Sequence, residues 1–355
     1  MSVIDLLKPQ KLQPGDKVAI VSPSWAGANV YPERYRAGIS QLEAEFGLIA
    51  VEAPHAMLSV AENADNPQKR AADINWAVNN KEIKAIIPVI GGDDAVRLLP
   101  FLDYAAIRAN PKILLGYSDT TALHLAFWHA GVRSIYGPTI MAGGFAENGG
   151  MFDYFKESVR KTLFSSEVIG EIKPNTAGWT DEELPWKDPH NQDIKRALKK
   201  STGVKVLQGN KKVRGRLFGG CIEVLEMLKG TPVWPDKEFF NNTILFLETS
   251  EEAPSLDYVV RVLRNYAATG ILEKVSGIIV GRGANLPEDE QDRYDIAFSH
   301  VLQKECHSDI PVLSQMDFGH TDPMFLLPYG AEAEIDPANG TFAILESAVA
   351  ERSGI

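Results

Sequence analysis

The chain has 355 residues, 45% of them hydrophobic and 23% charged, with a formal net charge of −11. That length predicts two domains or one large one with ample core, and the acidic balance argues against the basic footprint of a nucleic-acid-binding protein. Cys221 and Cys306 form neither a disulfide framework nor a metal-ligand pattern, and no run approaches the ~20 apolar residues of a membrane span.

Residues 1–15 hold no uninterrupted apolar segment behind a basic start, so no signal peptide is expected and the cytoplasm is the expected location. Strand and helix patterns then alternate. Residues 17–22 read as a short buried strand ending in Pro23-Ser24. Residues 32–46 read as an amphipathic helix, with Pro32 at its start and Gly47 after its end. A strand follows at 49–53, a helix at about 68–78, a strand at 83–90 ending in Gly91-Gly92, and a helix near 95–99. The next strand runs from Lys112 into Gly116-Tyr-Ser-Asp119. An apolar helix continues from about 120 to 130, stopped by Gly131. This alternation predicts an α/β fold, a Rossmann-like parallel sheet with helices on both faces that binds ligand at the carboxyl ends of its strands.

From about 171 to 213 the chain is polar and weakly periodic, yet it contains Trp179 and Trp186. It reads as a connection carrying an elaborated loop. Element patterns resume near Arg214. Gly215-Arg-Leu-Phe-Gly-Gly220 leads into a helix at 221–229, a strand covers 243–248, and Ser255 caps a helix to about 269. A strand covers 275–280, a helix lies near 290–304, and a strand at 311–316 runs into Asp317-Phe-Gly-His320-Thr-Asp-Pro323. Residues 331–336 and 341–345 read as a hairpin. The predicted organisation is an N-terminal α/β domain over 1–165, a connector over 166–213 with its tryptophan loop, and a smaller C-terminal α/β domain over 214–355.

Gly116-Tyr-Ser118-Asp-Thr120 is the first candidate for chemistry. A serine on a sharp strand-to-helix turn exposes its hydroxyl beside backbone N–H groups at a helix N-terminus, which can stabilise an oxyanion. The hydrolase pattern G-x-S-x-G has Thr120 in its fifth position here, and Ser118 or Asp119 acting only as a helix cap is the alternative. A serine nucleophile needs a base and an orienting acid. Of the seven histidines, His124 and His129 fall on the helix after Ser118 and read as structural. His320 follows an apolar strand directly, rigidly mounted and partly exposed. Glu248 ends the apolar run Ile244-Leu-Phe-Leu, where a carboxylate is costly unless paired. Pairing with a histidine would orient the ring; a capping role is the alternative. Glu251 and Glu252 read as acids ahead of a helix N-terminus.

Gly91-Gly92 admits close approach of a substrate and can present an N–H. Arg282 ends another strand and suits either a substrate carboxylate or a structural salt bridge. Trp179 and Trp186 suit either stacking on an aromatic ligand or stapling the connector to the body.

Val21-Ser-Pro-Ser24, Ile90-Gly-Gly92, Leu115-Gly-Tyr-Ser-Asp-Thr120, Gly215-Arg-Leu-Phe-Gly-Gly220, Phe246-Leu-Glu248 and Phe318-Gly-His320 occur in this order over nearly the whole chain. In these motifs the chain resembles the LD-carboxypeptidase and microcin C immunity family of serine peptidases. The resemblance implies a two-domain fold whose triad is completed across the domain interface. Ser118 would be the nucleophile, His320 the general base and Glu248 the orienting acid. The backbone N–H groups of Asp119 and Gly92 would form the oxyanion hole. No metal or organic cofactor is implied, and homodimers are common in the family.

Two branches of that family compete. One trims the terminal D-alanine from murein tetrapeptides; the other cleaves the bond between an aspartyl residue and a nucleotide in processed microcin C. The long connector with its tryptophans and the segment Leu247-Glu-Thr-Ser-Glu-Glu-Ala-Pro254 resemble the second branch. The nucleotide base would then stack on Trp186 or Trp179. The expected activity is therefore hydrolysis of an aspartyl-nucleotide conjugate, with an L,D-murein peptide as the second candidate substrate. A silent small-molecule binding protein on the same scaffold is the alternative from another class.

Overall fold

Buried apolar runs assemble two sheets. The computed structural model describes residues 6–352, so the outer ends of both predicted domains, and residues 1–5 of the stretch read for a signal peptide, lie outside the described residues. Across the first sheet the order is Ile135–Tyr136, Ile113–Gly116, Ile83–Pro88, Lys17–Val21 and Ile49–Glu52, all parallel. Chain order reverses between Lys17–Val21 and Ile83–Pro88, and the carboxyl ends of strands at such a point open a crevice.

The predicted Pro32–Phe46 helix forms with Pro32 in its first turn, and Gly47 closes it at φ +67°, a left-handed cap that glycine adopts without strain. Its buried face carries Tyr35, Leu42 and Phe46. Thr121–His129 is buried on every side except at His129, as an apolar helix inside a domain must be.

Among the α-helices of six or more residues, three escaped the pattern reading: Val60–Asp65, Tyr104–Ala109 and Asp153–Leu163. The first two are six residues long, too short for a period to register. Local caps hold them instead, a Ser59–Glu62 capping box and the Asp103 carboxylate on the N–H of Ala106. The helix predicted near 290–304 is an α-helix over Arg293–Ser299 that widens into a π-turn over His300–Glu305.

The second sheet has eight strands. Val213–Cys221, Thr243–Glu248, Gly277–Gly281 and Val312–Met316 are parallel neighbours, and the hairpin Glu332–Asp336/Thr341–Ile344 adds antiparallel. The polar connector supplies both edges, Gly170–Glu171 beside the hairpin and Lys205–Gln208 beside Val312–Met316. It is therefore woven into the sheet rather than slung between domains.

After the turn that carries His320, Leu327–Pro328 crosses to the first sheet and pairs antiparallel with Ile135–Tyr136. Tyr329 N then donates to Ser134 O at 2.9 Å. This return stitches the two sheets together and brings the His320 turn over the first sheet. Among the described residues no helix is long and apolar enough to cross a membrane.

Candidate active site

Ser118 stands where the Ile113–Gly116 strand gives way to helix. Tyr117 is extended, Ser118 enters the left-handed region at φ +57°, and a 3-10 turn over Ser118–Thr120 leads into Thr121–His129. A positive φ at serine is uncommon and costs on the order of 1–3 kcal/mol, a strain kept where a side chain must be re-aimed. Gly91 faces the hydroxyl: a Cβ there would lie 3.0 Å from Ser118 Oγ, so glycine is what lets this backbone approach.

Asp119 is fully buried and does not cap its own helix. Its Oδ2 accepts hydrogen bonds from Ser24 Oγ at 2.5 Å, Asp94 N at 2.9 Å and Ala95 N at 2.8 Å. The carboxylate thus caps the 3-10 turn Ala95–Phe101 and clamps the Ser24 and Asp94 loops around Ser118. Burial raises its pKa against the pull of these hydrogen bonds.

Glu248 ends its strand only 1% exposed. Its Oε1 accepts from the Tyr136 hydroxyl at 2.5 Å, and its Oε2 lies 2.6 Å from His320 Nδ1. The Tyr136 hydroxyl in turn accepts from Ser118 N at 3.1 Å. One hydrogen-bonded chain therefore runs from the Ser118 backbone through Tyr136 and Glu248 to His320, across the two sheets.

The His320 side chain is 6% exposed, more enclosed than its turn suggests, and packs on Tyr117 with ring centroids 4.7 Å apart. Its Nε2 lies 3.2 Å from Glu251 Oε2. Burial disfavours the imidazolium, but the charge and hydrogen bond of Glu248, followed by the charge of Glu251, push the pKa up to about 9. Among the described residues Ser118 Oγ has no hydrogen-bond partner.

The other histidines on this path are structural. His124 Nε2 lies 2.8 Å from Gly116 O and must donate to it, so Nδ1, 2.8 Å from Ser134 Oγ, accepts. Burial lowers its pKa to about 3. The unfolded chain binds this proton below pH ~6.5 and the folded one does not. Stability is therefore whole above pH ~6.5 and falls by about 1.4 kcal/mol per pH unit as the medium is acidified toward pH ~3. Urea midpoints at pH 7 and pH 5 are expected to differ more in the wild type than in His124→Gln. An equal difference in both would clear His124 as the cause. His129 packs edge-on to Tyr104 at the far end of the helix.

Ser118 and His320 open onto a cleft of about 540 Å³, within the range of ligand pockets. Gly91 and Gly92 line one side, and Trp25, Tyr31 and Trp186 form an aromatic wall. Trp186 meets Tyr31 edge-on at 5.7 Å, and the Arg34 guanidinium lies 5.1 Å from its ring centroid. The connector is fastened over this wall. Arg196 ion-pairs with Glu147 and, at 2.7 Å, with Asp322 two residues past His320. Thr180 and Asp322 exchange backbone hydrogen bonds of 2.7 and 2.8 Å.

Trp179 and Arg282 stand elsewhere. The Arg282 guanidinium is 97% buried and committed to Asp317 Oδ1 and Gln315 O, both at 2.8 Å. Trp179 is wedged between that guanidinium, 4.9 Å from its centroid, and the Lys199 ammonium at 4.7 Å. Both line a separate hollow from that of Ser118. These contacts are those of the salt-bridge and staple alternatives, and neither residue lines the cleft of Ser118.

Sequence reading missed Tyr136, because a two-residue strand leaves no pattern. It also missed Arg34, Glu147 and Arg196, whose pairing depends on the connector's path. Among the described residues no group of three or more His, Cys, Asp or Glu side chains is arranged to hold a metal ion.

Residues 18–137 match the LD-carboxypeptidase N-terminal domain and residues 214–335 the LD-carboxypeptidase C-terminal domain. The microcin C7 self-immunity protein MccF of Escherichia coli is 33% identical over 79% of this chain and 78% of its own. The structure of MccF in complex with aspartyl sulfamoyl adenosine superimposes with a TM-score of 0.85 at 30% identity, covering 97% of this chain and all of that one. An MccF-like protein from Streptococcus pneumoniae in complex with AMP gives 0.84 at 28% identity, covering 93% of this chain and 98% of that one.

Proposed function

This chain belongs to the LD-carboxypeptidase family of peptidases, and we propose that it hydrolyses the amide bond joining an aspartyl or similar aminoacyl residue to a nucleotide. Ser118 is the nucleophile, His320 the general base and Glu248 the orienting acid. The observation that carries the reading is the chain of hydrogen bonds that ties the Ser118 backbone to Glu248 and His320 beside an aromatic-walled cleft.

In the first step Ser118 Oγ attacks the carbonyl carbon while His320 Nε2 takes its proton. Negative charge develops on the carbonyl oxygen, which accepts hydrogen bonds from the backbone N–H groups of Asp119 and Gly92. His320 then protonates the leaving nitrogen as the C–N bond breaks, and an acyl-enzyme remains. A water molecule, deprotonated by the same ring, attacks the ester; Ser118 regains its proton and the amino acid leaves. Glu248 holds Nδ1–H throughout and stabilises the cation formed in each half.

Trp186 is the candidate platform for the nucleotide base, supported by its place in the cleft wall and by the nucleotide complexes of the MccF structures. Cleavage of a murein tetrapeptide to release D-alanine is the second reading, supported by the family itself. A mass-spectrometric assay of aspartyl-sulfamoyl-adenosine beside an L,D-murein tetrapeptide separates them. Release of aspartate is expected, with Trp186→Ala raising KM by roughly tenfold, a stacking contact's typical worth. Release of D-alanine alone would assign the chain to the second reading.

A further inference from the structure

His320 has a carboxylate on each ring nitrogen, and only Glu248 fits the reaction above. Nδ1 lies 2.6 Å from Glu248, and Nε2 lies 3.2 Å from Glu251 Oε2. A general base must offer Nε2 as a free lone pair to the serine hydroxyl. Here a carboxylate oxygen stands in front of Nε2 at 3.2 Å while a second holds Nδ1, and this pair of negative charges favours the imidazolium, the form that holds the proton the ring should accept. The charged groups facing it are Glu248 at the end of its strand, Glu251 on the following turn and, at longer range, Glu223 on Ile222–Leu228; the ring face rests on Tyr117.

Glu251 is mounted to move. Its side chain is 58% exposed. The turn beneath it is anchored by other groups: Ser250 N and Oγ donate to Glu223 Oε1 at 2.9 and 2.7 Å, and Asn285 Nδ2 donates to Glu251 O at 3.0 Å. The carboxylate can therefore swing without disturbing the core.

The cleft around it is short of positive charge. Glu147, Asp181, Glu182, Glu183, Glu251 and Asp322 line it. Its two guanidinia are already engaged, Arg34 with Asn148 and Gln192 and Arg196 with Glu147 and Asp322. Asp322 Oδ1 is buried with no hydrogen-bond partner among the described residues.

We propose that Glu251 is the receptor for the α-ammonium group of the substrate's acyl residue, and that its contact with His320 Nε2 is a resting lock which this ammonium opens. The inference rests on the Ser118–His320–Glu248 reading. The α-nitrogen is two bonds from the carbonyl carbon that Ser118 attacks, so it is delivered beside His320 Nε2, within reach of Glu251. Pairing with the ammonium draws the carboxylate off the ring. The imidazolium then releases one proton to solvent, and its Nε2 lone pair becomes available to Ser118. In an aminoacyl nucleotide that nitrogen is a free amine; within a peptide it is an uncharged amide and leaves the lock closed. Glu251 thereby assigns the substrate class as an unblocked aminoacyl residue.

The test compares kcat/KM for aspartyl-sulfamoyl-adenosine and its des-amino analogue, in which hydrogen replaces the ammonium, with wild type and Glu251→Gln between pH 6 and 9. The wild type is expected to favour the free amine by roughly 10–100-fold, the range of a charge-assisted hydrogen bond. In Glu251→Gln that ratio falls toward one. The acid limb of the kcat/KM profile also moves to lower pH, because the ring has lost a neighbouring negative charge. A purely structural Glu251 would lower both rates alike and leave the ratio and the limb in place, which overturns the proposal. Equal cleavage of both compounds by the wild type overturns it too and leaves the hydrolase reading standing. Cleavage of neither overturns that reading and the receptor role with it.

Discussion

Ser118→Ala is expected to lower kcat on the aminoacyl-nucleotide substrate by roughly 10⁴–10⁶-fold, the cost of removing a nucleophile whose partners act as a unit. The remaining machinery stays in place in this variant. Ser118 N donates to Tyr136 through the backbone, and the Glu248–His320 contact does not involve the hydroxyl. Alanine also accepts φ +57° at about the cost serine already bears. Ligand affinity is therefore expected to change little while turnover disappears. Separate measurement of kcat by mass spectrometry and of affinity by calorimetry distinguishes an enzyme from a binding protein on the same scaffold. A binding protein shows no turnover before or after the change. Turnover that survived in Ser118→Ala, or that vanished in a His124 variant and persisted in a His320 one, would refute the triad.

The residues of that prediction were legible because each ends an apolar strand. Gly116-Tyr-Ser118, Leu247-Glu248 and Phe318-Gly-His320 all mark points where a buried run meets polar chain, and strand ends are where α/β sheets place chemistry. Arg282 also ends a strand but stands outside the cleft of Ser118, because its ion pair with Asp317 is set by the neighbouring strand and not by its own sequence. Glu251 is the opposite case. Acids ahead of a helix are ordinary, and nothing local shows that the turn after Glu248 carries one of them to His320 Nε2. Of the two tryptophans, the connector's path decides which faces the cleft. That path depends on edge pairing of Lys205–Gln208 and on the Arg196 ion pairs, contacts far apart in the chain. Tyr136 depends on the return of Leu327–Pro328 to the first sheet, which no motif announces.

Glu248→Gln carries the second large expected effect, a loss of roughly 10³–10⁴ in kcat with the backbone undisturbed. The carboxylate accepts from two donors, the Tyr136 hydroxyl at 2.5 Å and the His320 ring at 2.6 Å, in a site that excludes water. Glutamine keeps one acceptor oxygen and turns the other position into a donor. If the NH₂ group faces Tyr136, the hydroxyl must rotate and its link to the Ser118 backbone is strained. If it faces His320, Nδ1 has to accept, the proton moves to Nε2, and the tautomer is wrong for removing a proton from Ser118; a matching change in a triad acid costs about 10⁴. Tyr136→Phe separates the two effects. It removes one donor but leaves the Glu248–His320 contact, and is expected to cost only about tenfold in kcat. Imidazole NMR supplies the independent readout. The His320 pKa of about 9 should fall substantially in Glu248→Gln, since the larger of the two flanking charges is gone, and should stay high in Tyr136→Phe. A Glu248→Gln enzyme within tenfold of wild type would mean that the ring is oriented by its packing on Tyr117 alone. Glu251 could not take over that task, because it addresses the nitrogen that has to be free.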